Sequence, residues 1–294
     1  MQQTTQPSER RKRRIVWFIR TYILGNKEAA IGFFLVLAFY LISIAVTATK
    51  GRLLPYDPIQ QGVGSPFAPP NAHTWFGTDQ LGRDLFSRIL AATPNDALIS
   101  TFVILVAGIF GGFLGALSGY KGGLIDEALM RVTDIFFAFP SLVLAMVIAV
   151  VLGPGLTNMM YALAIVWWPT YARLSRGEAL KVSQYNYVES ARISGTPTRT
   201  ILLKHVLPNV IGSLLVYATL DIGTVVLTYS GLSYLGLAIQ PPQPDWGSMV
   251  AIYQEYLIYA PWMPLFPGLV ITLVVVSFSL FGDGLRAAQR RHGG

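Results

Sequence analysis

Six stretches of the chain are apolar over a length that would cross a membrane. A helix rises about 1.5 Å per residue, so about 20 apolar residues span the roughly 30 Å of hydrocarbon in a bilayer. The stretches run approximately from Ala29 to Thr49, Ala97 to Tyr120, Ile135 to Leu152, Leu156 to Tyr171, Val210 to Leu235 and Leu265 to Gly282. The pattern predicts an all-α, polytopic membrane protein with six transmembrane helices.

Glycine and proline mark two further features of this pattern. The third and fourth stretches are separated only by Gly153, Pro154 and Gly155, which predicts a tight helical hairpin. Small residues recur along one side of the second stretch, at Gly108, Gly111, Gly112, Gly115 and Gly119. This spacing favours close packing against another helix, and a gating hinge is the alternative.

Composition agrees with a membrane-embedded chain. Of the 294 residues, 53% are hydrophobic and 13% are charged, and the mean hydropathy is +0.50. These values argue against a soluble or a disordered protein. The chain has no cysteine and three histidines, which excludes disulfides and iron–sulfur clusters and argues against a histidine-rich metal site.

The positions of the basic residues orient the predicted helices. Alternating the stretches across the membrane places 18 of the 22 Lys and Arg residues on the side of the two termini and 4 on the other side. Because basic residues concentrate on the cytoplasmic side, both termini are predicted to be cytoplasmic. The basic run from Arg10 to Arg14 could also begin a cleaved signal peptide or bind nucleic acid. The long apolar run that follows, without a small-residue cleavage site, favours a retained signal anchor.

These features divide the chain into five parts. They are a cytoplasmic N-terminal segment (1–28, amphipathic around Ile15 to Leu24), a first transmembrane helix (29–49), an external loop (50–96), a transmembrane core with a cytoplasmic loop at 172–209 (97–284), and a cytoplasmic tail (285–294).

The cytoplasmic loop 172–209 is longer than a connection between two helices needs. A helix is predicted from about Gly177 through Ser194, and Gly195 is suited to end it.

Thr196 can cap a second helix that has Pro197 at its first position and ends at Pro208. Two helices joined at a glycine predict a protruding elbow, at about 182–208, that docks on another protein.

The elbow carries a recognisable motif. Glu189-Ser190-Ala191, three residues, Gly195, nine residues and then His205-Val206-Leu207-Pro208 resembles the E-A-A, G, I-x-L-P signature of permease subunits of binding-protein-dependent ABC importers. The chain departs from the signature at Ser190 and His205. The resemblance implies that the residues that couple the permease to an ATPase are Glu189, Ser190, Ala191, Gly195, Leu207 and Pro208.

Other stretches narrow the resemblance to the "C" subunit of the dipeptide/oligopeptide permease group, over nearly the whole chain from about Gly25. They are Tyr56-Asp57-Pro58, the run from His73 to Asp84, the run from Leu232 to Leu237, and the run from Pro241 to Gly247. The departures are Tyr234, Ala238 and the run from Ala92 to Asp96.

This resemblance implies partners and a location. The chain is expected in the plasma membrane of a prokaryote with a second homologous permease, two cytoplasmic ATPase subunits and an external solute-binding protein, and without nucleic acid. No G-x-x-x-x-G-K-[ST] loop occurs, so this non-catalytic subunit is expected to bind no cofactor, and ATP and Mg belong to the ATPases. Peptides, oligosaccharides and a nickel chelate all remain open as the transported solute.

A carboxylate and an outer loop are further candidates. Asp221 is the one deep carboxylate that the predicted spans contain, and it could face the pathway, form a structural or protonated hydrogen bond, or lie in a misplaced span. Asp126 with Glu127, and Asp283, are interpreted as solvated.

The outer loop 239–264 is long and aromatic, and Pro241, Pro242 and Trp246 are candidates for an external gate or a contact with the binding protein. An interfacial aromatic belt is the alternative.

Three other interpretations are a passive channel, a membrane enzyme, and a sensor subunit that uses the elbow only for signalling. A passive channel should carry a ring or filter motif, and a membrane enzyme should carry a convergent catalytic set. Neither is visible in the sequence, so a permease subunit is the preferred interpretation.

Overall fold

The computed structural model describes residues 26–292 and, within them, a helical protein without named strands. The amphipathic segment predicted at Ile15 to Leu24 and the basic run before it lie outside the described residues. The helices are α1 (Lys27–Ala48), α2 (Leu85–Lys121), α3 (Gly123–Phe137), α4 (Ser141–Leu152), α5 (Leu156–Ser183), α6 (Asn186–Ile193), α7 (Thr198–Tyr234), α8 (Trp246–Tyr253) and α9 (Trp262–His292).

The first predicted span is confirmed as helix α1. Asn26 caps it, since its side chain accepts a hydrogen bond from the Glu28 amide at 3.0 Å. The helix packs closely on α9, where a Cβ atom at Gly32 would lie 2.5 Å from the Phe281 backbone nitrogen.

Helix α2 begins at Leu85, well before the predicted start at Ala97. Asp84 caps it by accepting a hydrogen bond from the Ser87 amide at 2.8 Å. Pro94 lies inside the helix rather than before it. The predicted external loop 50–96 therefore ends at residue 84, because the cap and the buried side chains after it, among them Leu85 and Ile89, start the helix early.

Close packing of the glycine side of α2 is confirmed. Cβ atoms at Gly111, Gly115 and Gly119 would lie 2.2, 2.0 and 2.5 Å from carbonyl oxygens of α5. There is no room for a side chain at these three positions, so the backbones of α2 and α5 are in close contact.

The third predicted span is broken. Helices α3 and α4 are bent by 85° at a break of three residues, Ala138 to Pro140. Pro140 cannot continue a helix, and the residue before a proline avoids the helical region. The predicted hairpin after α4 is present at Gly153 to Gly155, and α5 follows it.

Four described helices, α1, α2, α7 and α9, are long and apolar enough to span a membrane, and α3 with α4 makes a fifth if the bent pair is one span. Helix α5 has the length but a less apolar sequence, with Trp167, Trp168, Pro169 and Thr170 in its middle. The six-span count is compatible with this arrangement, and the polytopic helical fold is confirmed.

Two hydrophobic clusters hold the helices together. The larger lies between α2, α5 and α7 and continues into the elbow through Val182, Val188 and Ile201. The second joins α1, α2, α8 and α9 around Trp246 and Phe278. The elbow and the outer segments are thus continuous with the core.

Candidate coupling elbow, pathway cavity and outer platform

The elbow is a short helix that packs on the end of α5. Helix α5 ends at Ser183, and α6 begins at Asn186, so the single helix predicted from Gly177 to Ser194 is wrong. Val188 of α6 is fully buried and belongs to the same cluster as Val182 of α5. This apolar contact places α6 across the end of the core.

Gly195 ends α6 as predicted. Its φ is +75°, its amide donates to the Arg192 carbonyl at 3.1 Å, and the Thr196 amide donates to the Ala191 carbonyl at 3.1 Å. These two hydrogen bonds form a Schellman motif, which a glycine at this position favours. Thr196 does not cap the next helix, which begins at Thr198 with Pro197 in the cap position.

The motif residues of α6 have distinct environments. Glu189 lies exposed in the first turn, and among the described residues it forms no ion pair. The hydroxyl of Ser190 donates to the Asn186 carbonyl at 2.8 Å, so its hydrogen bond is made within α6. Ala191 is half-buried, whereas Ile193 is 80% exposed. An exposed apolar residue beside a free carboxylate is suited to a protein contact.

The second half of the motif lies inside a helix. Pro208 was predicted to end the second elbow helix, but α7 runs without a stop from Thr198 to Tyr234. A π-helical turn at Leu202–Val206 precedes the proline. The Asn209 side chain donates to the His205 carbonyl at 2.6 Å and to the Tyr187 hydroxyl at 3.0 Å. The wider turn and the amide accommodate the missing proline N–H, and α6 is tied to α7.

The predicted solvated face at Asp126 and Glu127 is half correct. Glu127 is exposed, whereas Asp126 accepts two hydrogen bonds from Arg176 at 2.5 and 2.6 Å and one from Ser118. The ion pair between Asp126 and Arg176 connects α3 to α5. Asp283 is exposed as expected.

Asp221 is buried in the middle of α7 and borders a cavity of about 280 Å³. Its Oδ2 accepts a hydrogen bond from Trp167 Nε1 at 2.8 Å. The cavity is also lined by the end of α3, at Phe136 and Phe137, and by the break after it, at Phe139. Irregular backbone at membrane depth is tolerated where it lines a cavity, so the break and the carboxylate belong to one feature.

Asp221 is not the only deep carboxylate. Asp96 lies within α2, fully buried, and neither of its carboxylate oxygens has a hydrogen-bond partner within residues 26–292. The sequence interpretation missed it because it placed Asp96 in the external loop. An N-cap at Asp84 is the sequence signal that places Asp96 inside the helix.

Residues 50–84 and 239–256, which are predicted to be external, are together called the outer platform, and they are built around a buried ionic network. Asp79 is fully buried; it accepts from Arg83 Nε at 2.6 Å and from the Tyr253 hydroxyl at 3.0 Å. Burial raises the pKa of Tyr253 to about 12, so its phenol stays protonated and donates. Arg88 donates to the carbonyls of Pro58, at 2.7 Å, and Pro242, at 3.4 Å. The platform is thereby fastened to the start of α2.

The three outer candidates separate into two groups. Pro241 and Pro242 are exposed, and the peptide bond between them is cis. Trp246 is 1% exposed, and its Nε1 donates to the Ile89 carbonyl at 2.9 Å. Trp246 is therefore not an exposed contact residue in the structure, and its part in an external gate stays a prediction.

Comparisons with known proteins agree with the elbow motif. Residues 111–292 match the family described as binding-protein-dependent transport system inner membrane component. The probable D,D-dipeptide transport system permease protein DdpC of Escherichia coli (strain K12) is 44% identical, covering 80% of this chain and 78% of its own length. The glutathione transport system permease protein GsiD of Pectobacterium atrosepticum is 40% identical, covering 92% and 89%.

A third relative is similarly close. The dipeptide transport system permease protein DppC of Alkalihalophilus pseudofirmus is 39% identical, covering 90% of this chain and 85% of its own length. The family match spans more than half of the chain, and the relatives cover its outer platform as well as its core. The chain belongs to the family of inner-membrane components of binding-protein-dependent transport systems.

Proposed function

We propose that this chain is one permease subunit of an ATP-driven importer for peptides or similar small solutes and forms half of its pathway. The observation that carries the proposal is the elbow, a short helix with an unpaired, exposed Glu189 that is packed on α5 and hydrogen-bonded to α7. Through these contacts, a docked partner that moves the elbow would also displace α5 and α7, which line the cavity at Asp221.

The partners follow from this arrangement and from the family. Two cytoplasmic ATPase subunits bind and hydrolyse ATP with Mg, and one of them receives α6 of this chain. A second, homologous permease completes the pathway, and the two are surrounded by lipid. This chain supplies no catalysis, holds no cofactor and binds no nucleic acid. ATP-driven closure of the ATPases alternates the pathway between inward-facing and outward-facing states.

The outer platform receives an external solute-binding protein. Its exposed Pro241 and Pro242 are held against α2 through the Arg88 contact to the Pro242 carbonyl. A platform fastened to a membrane helix can transmit docking to the pathway. With the platform outside, both termini and the elbow are cytoplasmic, in the plasma membrane of a prokaryote.

Peptides are the proposed solute class, because the three relatives are named for D,D-dipeptides, glutathione and dipeptides. An oligosaccharide or a nickel chelate is the alternative within the same architecture.

The test compares Glu189→Lys with Glu127→Lys, the same change at an exposed residue outside the elbow. Glu189→Lys should reduce co-purification of the ATPase subunits and ATP-driven uptake into proteoliposomes by at least about tenfold, because the charge at the docking surface is reversed. The second permease should still co-purify with both variants. Wild-type uptake and co-purification in Glu189→Lys would show that the elbow does not dock the ATPase.

A further inference from the structure

We infer that Asp221 and the cavity in front of it form a transient site for the ammonium group of the transported solute. The inference rests on the proposed function, because it assigns one step within the pathway. It also narrows the solute class to molecules with a free, positively charged amine, such as the N-terminus of a peptide.

The carboxylate of Asp221 is held by neutral donors and has no cationic partner among residues 26–292. Trp167 Nε1 donates to Oδ2 at 2.8 Å, and the buried Tyr171 hydroxyl lies near the same carboxylate. In the same part of the chain no Lys, Arg or His lies within ion-pair distance of Asp221. A carboxylate at membrane depth normally pairs with a cation or faces a polar cavity. Asp221 faces a cavity and has no cation of its own.

The walls of the cavity suit a small organic cation. Tyr217, the two phenylalanines at the end of α3 and Phe139 of the break contribute aromatic side chains, and a cation binds favourably over an aromatic face. The hydroxyls of Ser141, Thr170 and Thr224 also line the cavity and can accept hydrogen bonds. An ammonium group has three donors, so one carboxylate oxygen and two hydroxyls can satisfy it.

The basic residue on this wall does not compete for Asp221. The guanidinium of Arg173 lies 4.2 Å from the centre of the Phe137 ring, and it pairs with Asp134 at 2.5 Å. Its charge is therefore balanced by another carboxylate. The remaining negative charge at Asp221 favours a cationic end of the solute and repels a carboxylate end, so a peptide would enter this site by its amine.

The cysteine-free chain permits a direct test of the charge in this cavity. A single Thr224→Cys, one turn from Asp221 on α7, is introduced into the assembled importer in nanodiscs. Its reaction rates are measured with a trimethylammonium-ethyl and a sulfonato-ethyl methanethiosulfonate, each normalised to the rate with a free thiol in solution. The cationic reagent should react at least about tenfold faster than the anionic one, because a single nearby unit charge in a partly desolvated site has an effect of that size.

Two further variants identify the source of that preference. Asp221→Asn in the same background should reduce the ratio to about one, whereas Asp283→Asn, the same change at an exposed position, should leave it unchanged. A ratio near one in the Thr224→Cys protein itself would overturn the inference even if Asp221→Asn failed to fold. An unchanged ratio in Asp221→Asn would overturn it as well.

Ligand protection tests the chemical class. Millimolar dialanine should slow labelling of Thr224→Cys several-fold, and N-acetyl-dialanine, which lacks the ammonium group, should not. Equal protection by both peptides, or by neither, would overturn the inference. A failure of the proposed function is distinguishable, because it would appear as loss of ATPase co-purification and of uptake in the wild-type protein, whatever the labelling ratio.

Discussion

Gly195 and Gly177 have the same empty surroundings but different backbones. Among residues 26–292, no atom apart from those of the flanking residues and of the helix's own backbone lies within 4 Å of a Cβ built at either residue. Gly195 has a φ of +75°, whereas Gly177 lies in the interior of α5 without a positive φ. Alanine at residue 195 is therefore unfavourable only because of the positive φ. Alanine at residue 177 is favourable because it is a better helix former than glycine.

Gly195→Ala should destabilise the end of α6 by about 1–2 kcal/mol, which corresponds to roughly 5–30-fold faster local opening. Gly177→Ala should leave α6 unchanged and stabilise α5 by about 1 kcal/mol. Amide hydrogen exchange of peptides covering the two helices measures both effects. Unchanged exchange in α6 of the Gly195→Ala protein would contradict the role assigned to its backbone.

Residue chemistry was predictable where it depends on neighbours in the sequence. The helix-ending role of Gly195 follows from local spacing, and the structure confirms it. The role of Asp126 depends on Arg176, which lies 50 residues later in the chain. The burial of Trp246 involves Ile89, which lies 157 residues earlier. Side-chain partners at such separations are set by tertiary packing, which a single sequence does not reveal.

At the scale of elements, α2 and α5 depend on glycine at specific points of contact. A Cβ atom at Gly115 would lie 2.0 Å from the Ala172 carbonyl oxygen, whereas at Gly108 the nearest atom is a Tyr171 ring carbon at 3.8 Å. The contact at Gly115 involves backbone on both sides and cannot be relieved by rotating a side chain.

Gly115→Ala should therefore destabilise the protein by about 1–3 kcal/mol, the usual cost of overpacking, while Gly108→Ala should be close to neutral. The midpoint of thermal aggregation in detergent compares the two variants directly. Equal midpoints would show that α2 and α5 can separate without cost.

The sequence located the apolar centres of the helices better than their ends. All six predicted stretches fall wholly or mostly within helices, because apolar runs of this length have few other structures in a membrane. The predicted helix ends are wrong where a proline can either lie within a helix or end it. Pro94 and Pro208 lie within helices, whereas Pro140 breaks one, and only the surrounding packing decides between these outcomes.

At the scale of the whole molecule, the outer platform and the elbow lie at opposite ends of the helices in the proposed topology. Orientation was inferred from the 18-to-4 distribution of basic residues. The structure shows two exposed positions that would lie on opposite sides of the membrane, Glu127 after α2 and Gln243 in the platform.

Single cysteines at these positions test the orientation. Gln243→Cys should react with an impermeant thiol reagent in intact cells, because the proposed topology places the platform outside, and Glu127→Cys should react only after the cells are permeabilised. Labelling of Glu127→Cys in intact cells, with none at Gln243→Cys, would reverse the proposed topology.

The π-helical turn at Leu202–Val206 has a consequence for the direction in which Asp221 points. A π turn accommodates one residue more than an α turn, and each residue of an α-helix advances the azimuth by about 100°. Every side chain of α7 beyond this turn is therefore rotated by about that angle relative to an uninterrupted helix starting at Thr198. Deleting one residue from the turn would therefore convert it to an α turn and leave Asp221 facing its cavity, whereas converting the turn to an α turn without a deletion would rotate Asp221 away by about that angle.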